Sequence, residues 1–94
     1  TLYSREAEFA QLQVPTLVIV GDEDDPCIEP SIFLKRTIPR SGVLMLPQTG
    51  HACNLEEPAR FNAGIAEFLS QVEAGRWGPR PSGSGDAWNI VPKS

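Results

Sequence analysis

"VIVGDEDDP", Val18 to Pro26, decides how the chain is read. Three aliphatic residues run into Gly21, and four carboxylates follow at once: Asp22, Glu23, Asp24 and Asp25. The apolar run extends back through Leu17 to Thr16, with Pro15 before it. β-Branched and aliphatic side chains without polar alternation describe a parallel strand covered on both faces. Gly21 ends that strand. One carboxylate suffices to solvate a turn, whereas four repel one another, so at least one has a purpose beyond solvation.

Working outward, Glu29 to Ile38 changes period. Pro30 suits a first helical turn, and a short helix is expected over residues 31–37, closed by Pro39. "VLML", Val43 to Leu46, is a second apolar strand. Strand, helix and strand in about 30 residues make a βαβ unit with a parallel sheet. Upstream, Ser4 to Leu12 reads as a short helix capped by Ser4, with Phe9 and Leu12 on one face.

Downstream, Pro47 to Asn54 is a loop, and the segment from Glu57 to Gly75 is the clearest helix. Pro58 lies near its start, and Glu56 and Glu57 stand at its positive end. Phe61, Ile65, Phe68, Leu69 and Val72 form one apolar stripe. Gly75 is its stop. The expected fold class is α/β, a partial parallel sheet in the order β-α-β-α. It occupies residues 1–77, and 78–94 form a Pro/Gly/Ser-rich tail. Trp88, Ile90 and Val91 are the expected anchors of that tail.

The bulk properties exclude more than they select. The 94 residues make one small domain with a thin core. A net charge of −4 leaves no basic footprint for nucleic acid. No apolar run approaches the roughly 20 residues of a membrane span, and "TLYSREAEF" has no signal-peptide layout. Two cysteines, Cys27 and Cys53, are too few for a disulfide scaffold. A reducing cytoplasm is the expected location.

In an open α/β sheet, ligands meet the protein beyond the carboxyl ends of the strands. "GDEDDP" leaves the first strand and "PQTGHACNLEEP" leaves the second. Neighbouring strands set these loops side by side and bring Asp24 within reach of His51. A carboxylate accepting one imidazole N–H fixes the tautomer and stabilises the imidazolium, freeing the other ring nitrogen to take a nucleophile's proton. Asp25 is the alternative acid.

"VPTLVIVGDEDDP" followed by "LPQTGHACNLEEPARFNAGIAEFL" resembles the C-terminal end of the α/β-hydrolase family. In that family a strand ending in Gly-x-x-Asp supplies the triad acid, a Gly-His pair after the last strand supplies the base, and a Glu-Pro opens the final helix. The resemblance implies Asp24 as acid and His51, after Gly50, as base, with Glu57 and Pro58 at the helix start. It spans residues 14–69. The family's chain order is nucleophile, acid, base, and the first of these is missing. There is no Gly-x-Ser-x-Gly, and "SGSG" at Ser82 to Gly85 has the wrong spacing and lies after the base. The sequence reads as the last third of such a domain.

The resemblance implies hydrolysis of an ester-like small molecule or a related bond, without a cofactor, once a nucleophile comes from missing sequence or another chain. The expected partners are a second copy or the remainder of a hydrolase. Two other readings stand beside it. One is a non-catalytic folded fragment that oligomerises. The other is an acidic pocket holding a divalent cation through Asp22, Asp24 and Asp25. A disulfide between Cys27 and Cys53, or a zinc site with His51 and a carboxylate, is a further use of those side chains, although no Cys-x-x-Cys clip is present.

Overall fold

The computed structural model describes residues 1–79. A 3-10 turn, Tyr3–Arg5, leads into helix α1, Glu6–Ala10. Strand β1, Thr16–Gly21, is followed by α2, Asp25–Thr37, and β2, Ser41–Leu46. A short α3, Cys53–Glu56, precedes the long α4, Pro58–Glu73.

β1 and β2 are parallel neighbours in register from Thr16–Ser41 to Gly21–Leu46. Paired residues on parallel strands share a face, so Leu17, Ile19, Gly42 and Leu44 point one way and Val18, Val20, Val43 and Met45 the other. α4 covers the first face: a Cβ on Gly64 would run into the Leu44 side chain. α2 covers the second, where the Ser41 hydroxyl donates to the Lys35 and Ile38 carbonyls at 2.9 and 2.7 Å. The sheet is thus sandwiched between two helices. Among the described residues, Val20, Ile38, Leu46 and Cys53 are the buried apolar ones.

Neither strand is covered as fully as its composition suggests. β1 is fully buried only at Val20 and Gly21, and β2 leaves Val43 and Met45 exposed. Two helices cannot close both faces of a sheet whose outer edges lack neighbours. Among the described residues β1 pairs with β2 alone. The uncovered part of the α4 face forms an open apolar groove of about 570 Å³ between Leu17 and Ile19 of β1 and Phe61, Ile65, Phe68 and Leu69 of α4.

α2 is longer than the expected span of residues 31–37. It begins at Asp25, with Pro26 in the first turn, where no N–H is needed. Pro30 lies inside the helix rather than at its start. Interior proline costs about 3 kcal/mol in an isolated helix, and packing on both strands offsets it here. Ile38 turns extended ahead of Pro39. The N-terminal segment splits into a 3-10 turn and α1, and the Ser4 hydroxyl donates to the Thr1 carbonyl at 2.6 Å instead of capping α1. Tyr3 and Phe9 meet Phe33 of α2 edge-on.

Gly75, in the left-handed region at φ 71°, ends α4. Trp77 then folds back onto the sheet. Its indole N–H donates to the Arg40 carbonyl at 2.9 Å, while the Arg40 guanidinium donates to the Trp77 carbonyl at 2.9 and 3.2 Å. Its ring meets Phe68 edge-on at 4.8 Å. This clasp fixes α4 at the amino end of β2. Trp88, Ile90 and Val91 lie outside the described residues.

Candidate functional site

The carboxyl ends of β1 and β2 carry the two loops, and backbone hydrogen bonds join them. Asp22 N–H continues the ladder to the Leu46 carbonyl at 2.9 Å, and Glu23 N–H donates to the Thr49 carbonyl at 2.9 Å. The Asp22 carboxylate accepts the Thr49 N–H at 3.4 Å, and the buried Thr49 hydroxyl donates to the Pro47 carbonyl at 2.8 Å. Gln48 makes the turn at φ 52°. Gly21 is required by close approach: a Cβ there would overlap the Thr49 and Gly50 carbonyl oxygens.

Asp24 stands at the N-cap position of α2 but makes no side-chain capping bond. Aspartate at that position ordinarily accepts an N–H of the first turn. Here its Oδ2 meets His51 Nδ1 at 2.8 Å instead. The adjacent loops thus produce the contact expected from the sequence. The Asp24 side chain is 11% exposed and the His51 side chain 84% exposed. The hydrogen bond from His51 holds the Asp24 carboxyl below its ordinary range; a bond from the Cys27 thiol adds to this, and partial burial opposes it. The positive end of α2 acts in the same sense.

The His51 loop is held from its other side. Glu56 Oε1 accepts the Gly50 N–H at 3.0 Å. Glu56 closes α3, and Glu57 pairs with Arg60 at 3.2 Å. Glu56, expected from the sequence at the positive end of the last helix, instead ties down the loop before His51, a bond between residues six apart that helix-start signals do not record.

Cys27, one turn into α2, places Sγ 3.9 Å from His51 Nδ1. Its hydrogen bond to Asp24, followed by burial and the nearby negative charge, pushes the thiol pKa up. Cys27 is therefore held as a thiol, unlike the depressed thiolate of a catalytic nucleophile. Both cysteines are free, which corrects the disulfide alternative. Asp22, Asp24 and Asp25 do not converge on one point: Asp22 is tied to Thr49 and Asp25 opens α2. Among the described residues the one cluster of metal-competent donors is Asp24, Cys27 and His51. The acidic-pocket reading fails on that geometry.

Nδ1 is occupied by Asp24, so a neutral His51 in this arrangement carries its proton on Nδ1 and presents Nε2 as acceptor. Among the described residues no hydroxyl hydrogen-bonds the ring; its partners are Asp24 and Cys27. No helix of the described residues is long and apolar enough to cross a membrane.

No family model matches the chain. Curated proteins do. The putative protein-lysine deacylase ABHD14B of Rattus norvegicus is 32% identical over 66 residues, covering 70% of this chain and 31% of the relative. A putative carbamate hydrolase, RutD, of Pseudomonas savastanoi pv. phaseolicola is 33% identical over 67 residues, covering 69% of this chain and 26% of the relative. The structure of MenH from S. aureus superposes with a TM-score of 0.69 at 25% identity, over 71% of this chain and 25% of that one. The chain spans about a third or less of the length of these relatives.

Proposed function

We propose that in this partial α/β-hydrolase segment Asp24 and His51 are the acid and base of a hydrolytic triad whose nucleophile comes from sequence outside these 94 residues. The observation that carries this reading is the 2.8 Å contact between Asp24 Oδ2 and His51 Nδ1. Nε2 takes the proton of an incoming hydroxyl nucleophile, Asp24 stabilises the imidazolium, and the same proton passes to the leaving group. The substrate class is an ester or related acyl compound, consistent with the deacylase and carbamate-hydrolase names of the relatives. No cofactor enters this chemistry.

The completing segment adds a strand at the free edge of β1 and covers the groove beside Phe61 and Phe68. Sheet edges without charge or proline invite such pairing. By itself the chain holds an acid and a base with nothing to activate. It is therefore expected to show no saturable turnover of p-nitrophenyl acetate.

The test is a chimera in which residues 14–77 replace the matching third of the rat ABHD14B relative, assayed on p-nitrophenyl acetate. Saturable turnover is expected, with kcat falling by about 10⁴-fold or more in His51→Ala. A folded, active chimera indifferent to His51→Ala overturns the assignment. So does saturable turnover by the isolated chain that is lost on His51→Ala, which would make Ser31, Cys27 or water the nucleophile.

A further inference from the structure

Cys27 has no part in the proposed triad, yet it sits against both of its members. Asp24 and Cys27 are three residues apart at the start of α2, on one side of its first turn, and His51 reaches them from the facing loop. One donor atom from each residue lies within 4.8 Å of the other two. We propose that Asp24, Cys27 and His51 form a binding site for a zinc-class divalent cation, which on binding takes His51 Nδ1 away from Asp24.

The distances suit such an ion. Zinc lies about 2.3 Å from sulfur and about 2.0–2.2 Å from imidazole nitrogen and carboxylate oxygen, which puts tetrahedral ligands roughly 3.4–3.6 Å apart. Sγ and Nδ1 are 3.9 Å apart, and Nδ1 and Oδ2 2.8 Å. The first of these pairs closes slightly and the second opens slightly to reach the zinc values, and the third pair, Cys27 Sγ and the Asp24 carboxylate, starts within 4.8 Å. The mixed sulfur, nitrogen and oxygen set excludes magnesium and calcium, which take oxygen ligands. The site is open on one side: His51 is exposed and Cys27 half-buried, while the Asp24 side chain is mostly covered. An ion enters from solvent, and water completes its fourth position. Cys53 is buried and is no part of the cluster.

Binding exchanges protons and no electrons. The Cys27 thiol proton leaves to solvent as the metal–sulfur bond forms. The ring proton leaves Nδ1, whose lone pair then faces the ion, and a proton is taken up on Nε2. His51 is thereby converted to the tautomer that cannot accept a proton from a nucleophile. Binding stands on the donor geometry alone, whereas the resulting inhibition rests on the proposed catalytic role.

Cobalt(II) reports on the site directly, because thiolate ligation gives a near-ultraviolet charge-transfer band. The whole chain, titrated with Co²⁺ in chelator-free buffer, is expected to develop that band at one ion per chain and to lose it on addition of Zn²⁺. Cys27→Ser abolishes the band, Cys53→Ser retains it, and His51→Ala weakens binding by about tenfold or more. Far-ultraviolet circular dichroism checks that each variant is folded. Should Cys27→Ser unfold, His51→Ala, which alters an exposed side chain, carries the same decision. No band in excess cobalt, a band that survives Cys27→Ser, or affinity unchanged in His51→Ala overturns the proposal. Because binding is read without any activity, its failure is distinct from failure of the catalytic reading.

Discussion

Gly21 lies directly beneath Thr49, so close that no side chain fits between the end of β1 and the loop that carries His51. That approach lets Glu23 N–H reach the Thr49 carbonyl and sets the distance between the two functional loops. Gly21→Ala must push backbone away from backbone, with no flexible side chain to give. It is expected to destabilise the fold by about 1–3 kcal/mol, the usual range for overpacking, and to lengthen the Asp24–His51 contact. Urea denaturation measures the first effect, and an unchanged midpoint would contradict the packing described.

At the opposite end of the sheet, Trp77→Ala removes the edge contact with Phe68 and leaves the Arg40 carbonyl without its indole donor. Trp77 is half-buried, so the loss should approach about 2 kcal/mol, below the roughly 3–5 kcal/mol of a fully buried tryptophan. A fall in denaturation midpoint with the His51 resonances unmoved is the expected result. Coupled movement of both would show that the clasp and the site are not independent.

The pH dependence follows from Asp24 and Cys27. The folded state lowers the Asp24 carboxyl below its ordinary 3.8, so the unfolded chain binds that proton first as the medium acidifies. Its stabilising contribution is complete above the ordinary value and is lost as pH falls through the lowered one. The thiol of Cys27 is raised above 9.0, so its contribution is present below that value and is lost as pH rises through the folded value. In chelated buffer, Asp24→Asn should flatten the acid limb of the stability profile and Cys27→Ser the alkaline limb. Profiles parallel to the parent would contradict these assignments.

Two strands with a free edge and an apolar groove do not make a self-sufficient sheet. The chain is therefore expected to associate with itself when no completing segment is present. Sedimentation across a hundredfold concentration range should show a rising mass. A concentration-independent species of 10.3 kDa that unfolds cooperatively would mean that the core closes unaided.

The Asp24–His51 contact was legible because both residues lie in loops that leave the carboxyl ends of neighbouring strands, at the positions the α/β-hydrolase resemblance assigns to acid and base. Asp24 also stands one residue before the Asp-Pro that opens α2, a helix-start signal that Pro30 obscured. The hydrogen bonds of Glu56, Thr49 and Trp77 were not legible. Arg40 and Trp77 are 37 residues apart, and neither periodicity nor propensity records such a pairing. The exposure of Val43 and Met45 was hidden for a related reason: apolar strand composition reports the faces a sheet needs covered, whereas this chain's helices cover only part of them.

His51 is the sole histidine of the chain, so its ring nitrogens can be observed without ambiguity. The central claim is that Asp24 holds the neutral ring with its proton on Nδ1 and leaves Nε2 as the acceptor. The nitrogen-15 shifts of the imidazole in metal-free protein at neutral pH or above measure this directly. The account predicts a protonated Nδ1 and an unprotonated Nε2 in the parent chain, reverting in Asp24→Ala to the Nε2–H-dominated mixture of free histidine. A parent spectrum already showing that mixture, unchanged by Asp24→Ala, would contradict it.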